Sequence, residues 1–205
     1  MRKVIATTIV IVLLTNSTVV WAEILPALTV SDPAPGFGVS GNDRTAGWEF
    51  TVTEDLQVGG LGIFDLEEDP MYAPGLVYSH EIGIWHLGEL LYSATIPAGT
   101  GGILIDDFRY IEMEPFWLTS GETYVIGATT IGEPFVGNSS VATITTLSSV
   151  IYGRTLMSPS DSGFSLPTLE RDYYYCGPNF LIIPEPMTLI FVGLGGLFLV
   201  SKRST

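Results

Sequence analysis

Two histidines, one cysteine and 22 acidic side chains are the residues of this 205-residue chain whose chemistry could extend beyond packing. His80 and His86 lie six positions apart in a stretch that alternates like a strand, about 20 Å at about 3.3 Å per residue. At that separation they cannot hold one ion together. Cys176 is the only cysteine, so no zinc set of cysteines and histidines can be assembled and no intrachain disulfide can form. Each histidine reads as a polar residue near a strand end. A serine hydrolase needs a nucleophile elbow of the type Gly-x-Ser-x-Gly, which the chain lacks. Glycosidase chemistry needs two carboxylates about 5 to 10 Å apart, and with 22 acids some such pair arises whatever the function. Nothing selects a pair. The chain is read as a non-enzyme.

The acids form two clusters. Asp65, Glu67, Glu68 and Asp69 fall within five positions, and Asp106 adjoins Asp107. Calcium takes six to eight oxygen ligands, so a calcium site would draw on Asp65, Glu67 and Asp69, or on Asp106 and Asp107 if folding brings them close. Neither cluster has an EF-hand or calcium-repeat pattern, and solvated loop acids are the plainer reading. No other cofactor is expected. Trp85, Trp117 and the run Tyr173 to Tyr175 could stack on sugar rings, although aromatics of a small β domain more often fill its core. Cys176, next to that tyrosine run and near Phe180, reads as a small buried hydrophobe. An intermolecular bridge or a reactive thiol is the alternative.

Charge narrows the partners. All 22 acids lie between Glu23 and Glu185, where only four arginines and no lysine oppose them, a net charge of −18. Nucleic acid and anionic lipid surfaces both require a positive footprint, so neither is an expected partner.

Positioning these residues falls to short strands. Glu23 to Ala46, rich in proline and glycine, reads as a loose lead-in with one edge strand around Leu28 to Val30. From Gly47 the pattern alternates: Trp48, Phe50 and Val52 share a face. Val58 to Phe64 follows, its glycines signalling close packing or a bulge. Glu81 to Leu87 and Leu90 to Ile96 flank a turn at Gly88-Glu89 and predict a hairpin. Further strands are expected at Asp107 to Met113, Phe116 to Leu118, Thr123 to Thr129, Val141 to Leu147 and Val150 to Gly153. A last pair is expected around Tyr173 to Tyr175 and Asn179 to Ile182. No window has sustained helical periodicity, and turn residues recur about every ten positions. The expectation is an all-β domain over 47–183, an antiparallel β-sandwich or jelly roll.

The two ends differ from this body. Arg2 and Lys3 precede an apolar run from Val4 to Leu14, and Val20-Trp21-Ala22 offers small residues at the −3 and −1 positions of a signal-peptidase site. Residues 1–22 thus read as a signal peptide, with Glu23 as the mature N-terminus. At the other end Pro184-Glu185-Pro186 precedes an apolar run from Met187 to Val200, then Lys202 and Arg203. Fourteen helical residues span about 21 Å, short of the roughly 30 Å hydrocarbon core, and three glycines weaken the helix. Such a segment holds the inner membrane marginally, and the basic residues after it place the C-terminus in the cytoplasm. The prolines keep the stretch before it extended. An ordinary tail anchor is the alternative.

Residues 184–205 resemble a PEP-CTERM sorting tail, although the family usually ends in a denser arginine cluster. The resemblance implies recognition by an exosortase-type transpeptidase at the inner membrane and a cut near Pro184-Glu185-Pro186. Cell-surface or matrix placement with exopolysaccharide and biofilm material would follow. Trp48 to Thr53, Ser79 to Trp85, Gly121 to Ala128 and Gly177 to Phe180 together resemble a β-sandwich family of unassigned function in secreted bacterial proteins, which implies fold and no catalytic residues. The expected function is that of an exported, non-catalytic surface or matrix protein. The alternative is a secreted glycan-binding or glycan-active module.

Overall fold

The computed structural model describes residues 24–31, 35–36, 43–65, 74–130, 135–136, 143–172 and 177–184, all within one compact unit, Glu23–Glu185. Fifteen strands follow in chain order: β1 (Leu25–Pro26), β2 (Leu28–Ser31), β3 (Pro35–Gly36), β4 (Thr45–Val52), β5 (Leu56–Phe64), β6 (His80–His86), β7 (Glu89–Ile96) and β8 (Ile103–Ile105). Then come β9 (Phe108–Leu118), β10 (Thr123–Thr129), β11 (Phe135–Val136), β12 (Thr143–Thr146), β13 (Val150–Met157), β14 (Leu169–Arg171) and β15 (Pro178–Ile183). There is no helix among the described residues. The architecture is the antiparallel β-sandwich that the alternation predicts.

One sheet runs β14-β13-β4-β10-β6-β7 and the other β1-β15-β5-β9-β8; β2 pairs with β12 and β3 with β11 in two small ribbons. The six-stranded sheet is built around β4. Register places Trp48 opposite Ile126 and Phe50 opposite Tyr124, and Ile126 in turn opposite Ile84. Because antiparallel partners point to the same side, the period-2 pattern of one strand continues across the sheet as an apolar row. The second sheet meets that row through Phe180, whose ring lies 4.9 Å from Phe50 and 6.2 Å from Trp48, and through Phe116, stacked on Tyr92. Trp48 is fully buried, and its indole N–H donates to the carbonyl of Pro178 at 2.8 Å, so burial leaves no donor unpaired.

Two glycines allow close contacts between neighbouring strands within each sheet. A β-carbon at Gly47 would fall 1.8 Å from the Ile126 carbonyl oxygen, and one at Gly62 would fall 2.2 Å from the Tyr110 ring. A bulge in β5 is also present: the consecutive residues Leu181 and Ile182 of β15 pair with Gly60 and Val58, which leaves Gly59 outside the register.

Several boundaries differ from expectation for identifiable reasons. The described part of the lead-in is not loose. Its first strand, β1, joins the main sheet beside β15, and Ala27 and Leu28 are fully buried in the core. The edge strand expected at Leu28 to Val30 is β2, paired with β12. These segments are too short to show a period. The stretches Asp107 to Met113 and Phe116 to Leu118 are one strand, β9; Pro115, which has no N–H to donate, falls in its unpaired interval opposite the bulge. The hairpin turn is Leu87-Gly88 rather than Gly88-Glu89. Both residues have positive φ, 51° and 88°, as a type I′ turn requires, and nothing about leucine announces that conformation. Strand β13 continues to Met157 across an irregularity between Tyr152 and Thr155. The Tyr173 to Tyr175 run lies outside the described residues.

Because β1, β2 and β15 complete the core, residues 23–184 should fold alone into a β-rich unit. Trp48→Ala should cost it about 3–5 kcal/mol in denaturant unfolding, through cavity formation and loss of the Pro178 hydrogen bond. Unchanged stability would place Trp48 outside the core.

Candidate functional site

Strand β5 ends at Phe64, and the next residue, Asp65, donates its backbone N–H to the Asp107 carbonyl at 2.8 Å. Asp106 and Asp107 form the two-residue turn between β8 and β9, both at positive φ, 47° and 62°. Aspartate tolerates that region better than most residues, which suits a type I′ hairpin. The second residue of β9 is Arg109. Its Nε–H donates to Asp65 Oδ2 at 2.5 Å, and Nη1 donates to the carbonyls of Thr100 at 3.1 Å and Gly102 at 3.4 Å. Both side chains are almost completely buried, 3% and 6% exposed. An isolated buried charge is very costly, so each of these two is tolerated because the other is there.

Folding thus brings the Asp106-Asp107 turn next to Asp65, and Asp65 is already paired with a guanidinium. Glu67 and Asp69, the other candidate calcium ligands, lie outside the described residues. Among the described residues no three His, Cys, Asp or Glu side chains are grouped to hold a metal ion. A calcium ion drawing on Asp65 would have to compete with Arg109. Melting midpoints should therefore agree in calcium and in sodium chloride of equal ionic strength. Arg109→Ala should destabilise the fold by about 3–5 kcal/mol, as expected when one partner of a buried pair is removed. A calcium-specific rise in midpoint, or a tolerated Arg109→Ala, would refute this division of roles.

Tyr110, the next residue, is fully buried, and its hydroxyl has no hydrogen-bond partner among the described residues. Burial pushes the phenol well above its usual range, and the negative charge of Asp106 adds to the shift. Below about pH 10 the phenol is protonated in folded and unfolded chains alike. As pH rises beyond that, the unfolded chain releases the proton first, so stability falls between the unfolded and folded values. Tyr110→Phe removes a buried hydroxyl that no described residue satisfies. It should raise stability at neutral pH by about 1 kcal/mol and flatten the alkaline decline. A loss of stability in urea unfolding would mean that the hydroxyl is satisfied in solution.

The histidines stand at the two ends of β6, as expected. His80 is fully buried with Nδ1 2.7 Å from the Thr129 carbonyl oxygen, while His86 Nε2 lies 3.1 Å from Glu122 Oε2 and its ring packs on Tyr124. The aromatic candidates separate. Trp85 is buried against Phe164, whereas Trp117 is about half exposed opposite Gln57. Trp117 alone of the two could meet a sugar ring.

A cavity of about 480 Å³ opens at the pole where both described ends meet, lined by Leu25, Gln57, Ile182, Ile183 and Pro184 with Glu54 and Asp55 at its polar side. Strand pairing of Leu25 with Ile182 sets the start of the body beside its end. A second cavity, about 240 Å³, lies at the β13 irregularity between Arg154, Glu170, Arg171 and Asp172. Arg154 there bridges Glu49 and Glu170, which raises its pKa, chiefly through the hydrogen bond to Glu49. The pair is solvent-exposed and contributes little stability.

Pro184 is described and half-buried, directly after β15. Ala22, Glu23, Glu185, Pro186, Lys202, Arg203 and Cys176 lie outside the described residues. Among those described, no helix is long and apolar enough to cross a membrane. Comparison with protein-family models, with curated proteins and with solved structures found no match. Sequence reasoning did not single out Arg109 or Tyr110. The available signal was the rarity of basic residues: an arginine inside an alternating strand of so acidic a chain must find a carboxylate.

Proposed function

We propose that the chain is an exported, non-catalytic surface or matrix protein, routed by the address at residues 184–205 rather than by chemistry in its sandwich. On this reading residues 1–22 are removed on export. An exosortase-type transpeptidase then recognises Pro184-Glu185-Pro186, while Met187 to Val200 and the Lys202-Arg203 end hold the inner membrane. The product would be retained at the cell surface with exopolysaccharide. The observation that carries this reading is the end of the body: β15 is hydrogen-bonded into the sheet up to Ile183, and Pro-Glu-Pro begins at the next residue. A cut just beyond Pro184 would leave both sheets and the core intact. The polar residues of the sandwich support it too, since Arg109, Asp65, His80 and Trp48 are engaged in packing and pairing.

Half-exposed Trp117 favours a second reading, a glycan-binding module on the five-stranded sheet. Intact mass of the protein recovered from an exosortase-bearing host distinguishes sorting from simple anchoring. The expected species begins at or near Glu23 and lacks Met187 to Thr205, and deletion of the transpeptidase restores the tail. A tail retained in the presence of the enzyme would overturn the sorting reading.

A further inference from the structure

The outer strands of the two main sheets are unequal. Strands β1, β8 and β14 are only two or three residues long, as sheet edges usually are where pairing with another chain is to be avoided. Strand β7 is eight residues, Glu-Leu-Leu-Tyr-Ser-Ala-Thr-Ile, with no lysine and no proline, and among the described residues it is hydrogen-bonded to β6 alone. One bulge, at Leu91, is its single protective irregularity. Beside it, Leu87 is 87% exposed at the hairpin tip in a left-handed conformation, and Leu90 and Leu91 are 46% and 41% exposed. Left-handed leucine is strained relative to the asparagine or glycine that a type I′ turn prefers, and that choice at an exposed tip gains nothing within one copy of the fold.

We propose that two copies of this chain associate through β7, pairing antiparallel about a two-fold axis so that their six-stranded sheets become continuous. Charge selects a second copy over a basic partner. The exported part carries 22 acids, yet β7 holds one, Glu89, at its first position. Antiparallel pairing sends the two Glu89 side chains to opposite ends of the seam, about 24 Å apart at about 3.4 Å per residue, beyond a Debye length of about 8 Å at physiological salt. In that register Leu91 meets Ala94 and Tyr92 meets Ser93 across the seam, and the exposed leucines at its margin gain cover. The pairing is independent of how the tail is processed.

Sedimentation of residues 23–184, whose sheets close without either end, tests this. The expected mass is twice that of one chain, falling to one chain on dilution. Leu91→Lys with Ser93→Lys sets like charges into the seam and should give a folded monomer by circular dichroism, whereas Leu104→Lys on the edge of the other sheet should leave the dimer. A monomeric wild type, or a doubly substituted variant that still dimerises, overturns the proposal. If that variant does not fold, hydrogen exchange of the wild type decides. Amides of β7 protected at high concentration and released on dilution support the seam, and concentration-independent exchange refutes it.

Discussion

Phe180 packs against Phe50 and Trp48, and that contact, with Phe116 stacked on Tyr92, joins the two sheets into one domain. Trp48 and Phe50 sit on β4, the strand flanked by β10 and β13, while Phe180 sits on β15 between β1 and β5. Trp48 adds a directional bond by donating its indole hydrogen to Pro178 one turn of the pleat from Phe180. Gly47 has no room for a side chain because the Ile126 and Gly127 backbone of neighbouring β10 lies against it, and Ala27 with Leu28, the first residue of β2, is fully buried in the same core. A hydrophobic seam of this kind suits an acidic chain, because burial of apolar area is insensitive to the repulsion among carboxylates outside.

Away from the seam the fold spends its few cations structurally. Arg109 holds the end of β5 to the start of β9 and to the 100–102 loop, and Arg154 joins β4 to β14. The first is buried and sensitive to loss of either partner; the second is exposed and screened. An acidic turn that looks like a metal loop in one dimension is thus partly an anchor for a guanidinium in three. What remains distinctive is the arrangement of ends and edges: a body whose last strand ends directly before Pro184, and one long edge strand, β7, that pairs on one side only among the described residues.

Much of the fold was legible because apolar residues recur with period 2 through Trp48–Val52 of β4, Tyr92–Ile96 of β7 and Tyr124–Ala128 of β10. It was less legible wherever a strand is too short to have a period, as in β1 and β2, or is buried on both faces, as in β15. Tertiary pairing alone makes Leu25–Pro26 a strand. The Leu87-Gly88 turn escaped because leucine is a poor indicator of positive φ, and the single strand β9 escaped because Pro115 reads as a break. Of the candidate site residues, the two histidines fell where the alternation put them, at strand ends. The carboxylate cluster could not be resolved in sequence, since whether Asp65 meets solvent, metal or Arg109 depends on contacts 44 residues apart.

The most direct measurement of the central packing claim is a double-mutant cycle between Phe50→Leu and Phe180→Leu in residues 23–184, read by urea unfolding. Rings in contact across the sheets should give a coupling of about 0.5–1.5 kcal/mol. Losses that add to within about 0.3 kcal/mol would mean that the two sheets do not depend on this contact.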